Sequence, residues 1–147
     1  MFISYVGIRV TDLDRSIRFY QEIFGLKLVR RGDFSDKGGG KFALLRDLTS
    51  GQRLELNWYA DGSRYAVEYE PGEGLDHIGV KVESVAEMQK MLAEKGIEII
   101  PIPGTISTQH FASDFTMHIG FVKDPDGNWI GLYDHDRPVQ PFDPDNY

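Results

Sequence analysis

Tyr5-Val6-Gly7-Ile8-Arg9-Val10 and His77-Ile78-Gly79-Val80-Lys81-Val82 carry one pattern, a glycine at the third place of an alternating apolar run. A second match follows each of them: Leu54-Glu55-Leu56 in the first half and Ile130-Gly131-Leu132 in the second. Between the matches each half holds a helical stretch closed by a glycine, Gly25 or Gly96. A repeat of this kind is one supersecondary unit built twice, because so small a unit cannot bury its apolar face alone. Superposing the halves sets Tyr5 against His77 and Glu55 against Gly131. The two halves share an apolar frame and differ where a side chain can bind or react.

Alternation across residues 2–10 predicts a strand with Tyr5, Gly7 and Arg9 on one face and Val6, Ile8 and Val10 on the other. Thr11-Asp12 supplies a helix start, and Ile17, Tyr20, Ile23 and Phe24 recur at helical spacing up to Gly25, which suits a left-handed stop. Leu26–Arg31, Phe42–Asp47 and Gln52–Tyr59 are expected strands, with Gly38-Gly39-Gly40 turning the chain between the first two. In the second half His77–Val82 reads as a strand. Ser84 to Lys95 reads as an amphipathic helix, capped by Ser84 with Glu87 three residues on. Ile97–Ile100 is a strand stopped by Pro101 and Pro103, and Thr105 to Ser113 is a polar loop. Phe115–Lys123 and Asn128–Asp134 flank the turn Asp124-Pro125-Asp126-Gly127. The expected class is α+β, two βαβββ modules forming a curved mixed sheet around a cleft. A single domain over 1–147 is expected, with module one at 1–60, a linker at 61–74, module two at 75–134 and a tail from 135.

The chain has 147 residues, a net charge of −7 and no cysteine. An acidic balance disfavours general nucleic-acid binding, which rewards clustered Lys and Arg. Without cysteine there are no disulfides, thiolate ligands or cysteine nucleophiles. No apolar run approaches the roughly 18 to 20 residues of a membrane span. Met1-Phe2-Ile3-Ser4 lacks the basic start of a signal peptide. A cytoplasmic protein is the expectation.

Four blocks carry a family resemblance: Ile8 through Tyr20, Leu54-Glu55-Leu56, Asp76-His77-Ile78-Gly79-Val80, and Phe121 through Ile130 with its Asp124-Pro125-Asp126-Gly127 turn. Over roughly residues 3–134 the chain resembles the vicinal-oxygen-chelate (glyoxalase/bleomycin-resistance/dioxygenase) superfamily, and within it the lactoylglutathione lyase (glyoxalase I) family. The resemblance implies paired βαβββ modules around a divalent metal (Zn, Ni, Mn or Fe), a small-molecule substrate, and a homodimer whose clefts are shared between subunits. It also implies four ligands on the opening and closing strands: His or Gln, Glu, His and Glu. These positions are Tyr5, Glu55, His77 and Gly131, so Glu55 and His77 retain the donor type. Gly131 falls where the resembling isomerases carry the carboxylate that doubles as base. Arg9 falls where they hold a substrate carboxylate, a task that guanidinium geometry suits. Two glutathione anchors differ: the asparagine four residues after the metal glutamate is Tyr59, and the lysines before the final hairpin are Phe115 and Met117.

A catalytic metal site needs about three protein ligands and an open position. Tyr5 could be the third only if its phenol, with an ordinary pKa of about 10, lost its proton. Otherwise it forms a cleft wall with a hydrogen-bonding tip. His118 depends on the final hairpin. A four-residue loop puts it on the face of Gly131, whereas a five-residue loop puts Phe121 and Ile119 there, since a one-residue slip inverts facing. His110 in the polar loop and His135 at the tail are further candidates. Purely structural roles are also open: His77 bonding a neighbouring carbonyl, Glu55 pairing with Arg9 or Arg53, and Arg9 pairing with Glu55 or Glu68.

The expected function is a lactoylglutathione-lyase-related isomerase or lyase acting on a small carbonyl or hemithioacetal substrate at a divalent metal with an incomplete ligand set. Glu55 would be ligand and proton shuttle, with Tyr5 a second catalytic candidate. His77 would be a ligand and Arg9 an anion clamp, while Phe121, Trp129 and Gly131 line the substrate site. One alternative is a non-catalytic protein binding antibiotic-like or aromatic small molecules, for which a bare Gly131 leaves room. An extradiol-type dioxygenase is the other, and needs one more well-placed histidine.

Overall fold

Ile8 and Val10 bury one side of the opening strand, and the same division runs through the first sheet. The computed structural model describes residues 4–33, 39–63, 66, 68, 70–71, 74–97, 99–100, 107–110 and 116–135, with backbone alone at 107–110, 116–117 and 135. The chain divides at Glu70/Pro71 into two compact units.

In the first, β1 (Val6–Arg9), α1 (Leu13–Phe24), β2 (Lys27–Asp33), β3 (Gly40–Arg46) and β4 (Arg53–Tyr59) follow in order. The sheet order is β1-β4-β3-β2, with β1 parallel to β4 and the other pairs antiparallel. Asp12 starts α1 by accepting the Arg15 N–H at 2.9 Å. Gly25 ends it at φ 68°, where a Cβ would be strained. Leu13, Ser16, Ile17 and Tyr20 recur three or four residues apart and are buried, as an amphipathic face requires. They pack toward β3 and β4, where Ala43, Leu45 and Leu56 are wholly enclosed.

The strand β2 carries one surplus residue, because its pairing with β3 shifts between Leu28 and Arg30. This bulge at Val29 sets facing for the basic run. Arg30 pairs with Leu44 and its guanidinium lies 5.7 Å over the Phe42 ring, on the face away from α1. Arg31 pairs with Ala43 and reaches Asp14 of α1 at 2.6 Å.

The second unit holds β5 (Ile78–Lys81), α2 (Val85–Glu94), β6 (Ile99–Ile100), β7 (Ser107–His110), β8 (Thr116–Lys123) and β9 (Trp129–His135). Its order is β5-β9-β8-β6, with β5 parallel to β9 and β7 also paired to β8. Ser84 caps α2 through the Glu87 N–H at 3.3 Å, as its spacing to Glu87 predicts. Val85, Leu92, Val122, Ile130 and Leu132 form the enclosed layer between helix and sheet.

The polar loop expected at Thr105 to Ser113 contains a strand instead. Ser107–His110 runs antiparallel to β8 along the edge already used by β6. Ser-Thr-Gln-His offers no apolar alternation, and edge strands tolerate such sequences because only one side is paired. The rungs on β8 run from Ile100↔Phe121 to Ser107↔Ile119, leaving Gly120 between them. The opening strands are also shorter than expected, beginning just after Tyr5 and His77. Gly38, Pro101, Pro103, Phe115 and the tail beyond 135 lie outside the described residues. Among the described residues no helix is long and apolar enough to cross a membrane.

Candidate functional site

Register confirms the superposition read from the repeat. In the parallel pair β1/β4, Gly7 stands opposite Glu55, and in β5/β9, Gly79 stands opposite Gly131. Side chains alternate along a strand, and Leu54 and Leu56 are buried on the α1 side. Glu55, Asn57 and Tyr59 therefore share the other face with Arg9.

On that face Glu55 is half-buried and its Oε1 accepts the Asn57 amide at 3.3 Å. A Cβ on Gly7 would lie 3.2 Å from that amide nitrogen, so the glycine leaves Asn57 space to lean across. The Arg9 guanidinium sits 5.0 Å over the Tyr59 ring. Glu55 forms no ion pair among the described residues, so the pairings with Arg9 or Arg53 are not made. Tyr5 is 47% exposed. Asn57 is a neighbour of the carboxylate that the sequence analysis does not single out, although counting by twos from Glu55 places it there, ahead of Tyr59.

The second unit gathers His77, Phe121, Trp129 and Gly131. Nδ1 of His77 is 2.6 Å from Asp76 Oδ2, and its ring meets Phe121 edge-on at 5.3 Å. Phe121 in turn meets Trp129 at 5.7 Å. Gly131 is not the open space expected of a lost side chain. A Cβ there would lie 3.1 Å from His77 Cδ2 and 3.2 Å from Phe121 Cε1, so the rings have closed onto the backbone.

The hairpin question is settled by Lys123↔Trp129 and Phe121↔Gly131, which enclose a five-residue loop. Asn128 is the extra member, tied to buried Asp124 by its backbone N–H at 2.8 Å and its side-chain amide at 2.9 Å. His118 consequently faces the α2 side, not Gly131, correcting the four-residue alternative. Its Nδ1 lies 2.6 Å from Asp134 Oδ1, while Asp134 Oδ2 accepts the Val85 N–H at the start of α2 at 2.7 Å. Partial burial pushes the Asp134 carboxyl up, but the Val85 N–H and the His118 ring outweigh it and hold the group below the ordinary carboxylate value. The side chains of His110 and His135 lie outside the described residues.

The residues present do not fit the four-donor metal centre that the resemblance implies. A carboxylate bonded to Nδ1 is how a ligating histidine is commonly oriented, and His77 has that. Glu55 supplies a second donor, Tyr5 an exposed phenol and Gly131 nothing. Among the described residues no group of three or more His, Cys, Asp or Glu could hold a metal, short of the roughly three ligands of a catalytic centre.

The chain matches the profile of the Glyoxalase/Bleomycin resistance protein/Dioxygenase superfamily over residues 2–132. It is 32% identical over 138 residues to a probable lactoylglutathione lyase of Synechocystis sp., covering 90% of this chain and 94% of that protein. A lactoylglutathione lyase of Arabidopsis thaliana is 32% identical over 139 residues, covering 94% of this chain and 46% of the relative, so this chain spans about half its length. The trypanothione-dependent glyoxalase I of Leishmania major superposes with a TM-score of 0.66 at 29% identity, covering 91% of this chain and 87% of that one. The profile spans nearly the whole repeat and includes both matched registers. This chain belongs to the glyoxalase/bleomycin resistance protein/dioxygenase superfamily.

Proposed function

We propose that this chain is an isomerase or lyase related to lactoylglutathione lyase, acting on a small carbonyl or hemithioacetal substrate and working as a homodimer. The observation that carries this reading is Glu55: half-buried, without an ion-pair partner among the described residues, one oxygen held by Asn57. The lactoylglutathione lyase relatives support the reaction class.

A C–H beside a carbonyl becomes removable when the charge passed to oxygen is stabilised. Glu55 Oε2 takes the proton from the carbon bearing the hydroxyl and thioether. The electron pair forms an enediolate, the same carboxyl returns the proton to the neighbouring carbon, and the hydroxyl proton passes to the former carbonyl oxygen, giving the 2-hydroxy thioester with no atom gained or lost. Arg9, braced over Tyr59, supplies fixed positive charge on the same face. Tyr5 offers a hydroxyl to a substrate oxygen. In the second unit, taken by itself, His77 has Nδ1 committed to Asp76 and stands beside the Phe121 and Trp129 rings.

The test follows thioester formation from the methylglyoxal–glutathione hemithioacetal. Turnover is expected, falling by about 10²–10⁴ in Glu55→Gln, the usual worth of a positioned base. Absence of turnover, or equal rates in the two proteins, refutes the reading. A second reading, a non-catalytic binder of aromatic small molecules, is favoured by the contiguous His77, Phe121 and Trp129 rings. Binding of a planar aromatic ligand without turnover, unaffected by Glu55→Gln, would establish it.

A further inference from the structure

Lys27 pairs with Arg46 across β2/β3, and Arg46 pairs with Arg53 across β3/β4, so the three cations stand in one row. Paired residues share a face. Ala43 and Leu45 are buried toward α1, which puts Arg46 and its row on the other side, with Glu55. The adjoining row is Arg30, Leu44 and Glu55. The Arg30–Phe42 and Arg31–Asp14 contacts confirm these facings across the bulge.

Like charges directly opposite one another destabilise a sheet. No direct ion pair among the described residues offsets this repulsion: Lys27, Arg46 and Arg53 are exposed and form no ion pair or hydrogen bond there. Asp47, next to Arg46, has its carboxylate occupied by the Thr49 and Ser50 N–H groups and the Ser50 hydroxyl. Composition does not explain the row either, since the chain as a whole carries −7.

We propose that Lys27, Arg46 and Arg53 form a binding site for a small molecule carrying two or more negative charges, as phosphate or as carboxylate. Guanidinium groups bind both by paired hydrogen bonds. Strands lie about 4.8 Å apart, so the row spans on the order of 10 Å, the reach of a molecule with separated anionic groups. That such a ligand presents its reacting carbon to Glu55 in the next row rests on the proposed function; the anion site itself does not.

The experiment titrates the full chain with inorganic pyrophosphate and, separately, with citrate, at ionic strength held constant with sodium chloride. Calorimetry and thermal unfolding read the result. Wild type is expected to show saturable binding and a rise in Tm with at least one of them. The variant Lys27→Gln/Arg46→Gln/Arg53→Gln is expected to bind about tenfold more weakly or not at all. Without anion at low salt it should melt no lower than wild type, because the repulsion is gone. If it fails to fold, Arg46→Gln, the central cation alone, should still weaken binding about threefold. A response to pyrophosphate alone assigns phosphate, and one to citrate alone assigns carboxylates. No saturable response to either, an equal response in the variant, or a change of oligomeric state as the variant's only effect overturns the proposal. Because the readout is binding, failure here leaves the hemithioacetal assay untouched, and the reverse holds.

Discussion

Replacing Asp134 by alanine tests whether the second module depends on the link between β9 and the start of α2. Its Oδ2 accepts the Val85 N–H at 2.7 Å, and Val85 is wholly buried. A hydrogen bond to a charged group contributes about 1.5–3 kcal/mol, and a buried donor left without a partner costs about 1–3 kcal/mol. These overlap, so Asp134→Ala should lose about 3 kcal/mol, or roughly 6–12 °C in Tm at about 2–4 °C per kcal/mol. Asp134→Asn keeps an amide oxygen for Val85 and should lose only about 1 kcal/mol. Acid separates the two effects. The folded pKa of Asp134 is lowered, so its stabilisation is present above the unfolded carboxylate value, about 3.9, and is lost as pH falls through the folded value. Urea unfolding at pH 7 and below pH 4 should therefore show a wild-type advantage over Asp134→Asn that shrinks in acid. A loss under about 1 kcal/mol in Asp134→Ala, or an advantage over Asp134→Asn independent of pH, would refute the assignment.

Asp124→Ala should cost about 2–4 kcal/mol, because the buried carboxylate accepts from Asp126, Asn128 and the Asn128 side chain; urea midpoints measure it. Gly120→Ala should cost about 1–3 kcal/mol by overpacking, since the new Cβ would lie 2.5 Å from Gln89 Nε2 and 3.0 Å from Val85 Cγ1; thermal unfolding reports it. The Glu55→Gln comparison in the hemithioacetal assay completes the set.

The repeat made the fold legible, because apolar alternation and helix caps are local signals. Asp12, Gly25 and Ser84 act where their residue types predict. So was the matching of Glu55 with Gly131, which depended only on where each module closes. The facing of His118 was not legible. It turned on whether Asn128 belongs to the strand or the loop, and Asn128 joins the loop through buried contacts with Asp124 that no periodicity displays. The narrowness at Gly131 was hidden for another reason: a glycine in the sequence shows a missing side chain but not which neighbouring rings have moved in. The cation row is not legible in the sequence, since Lys27, Arg46 and Arg53 are apart in the chain and meet only through register.

The surplus residue in β2 has a bearing on how the chain can change length. Losing Val29 would shorten the strand by one link yet keep Arg30 beside Leu44 and Arg31 within reach of Asp14, because Val29 holds no rung of the ladder. Losing a residue inside β3, where every position is paired, would exchange inner and outer side chains along part of that strand. Among descendants of this gene, one-residue deletions should gather at Val29, the place where the first module can be trimmed without being rewired.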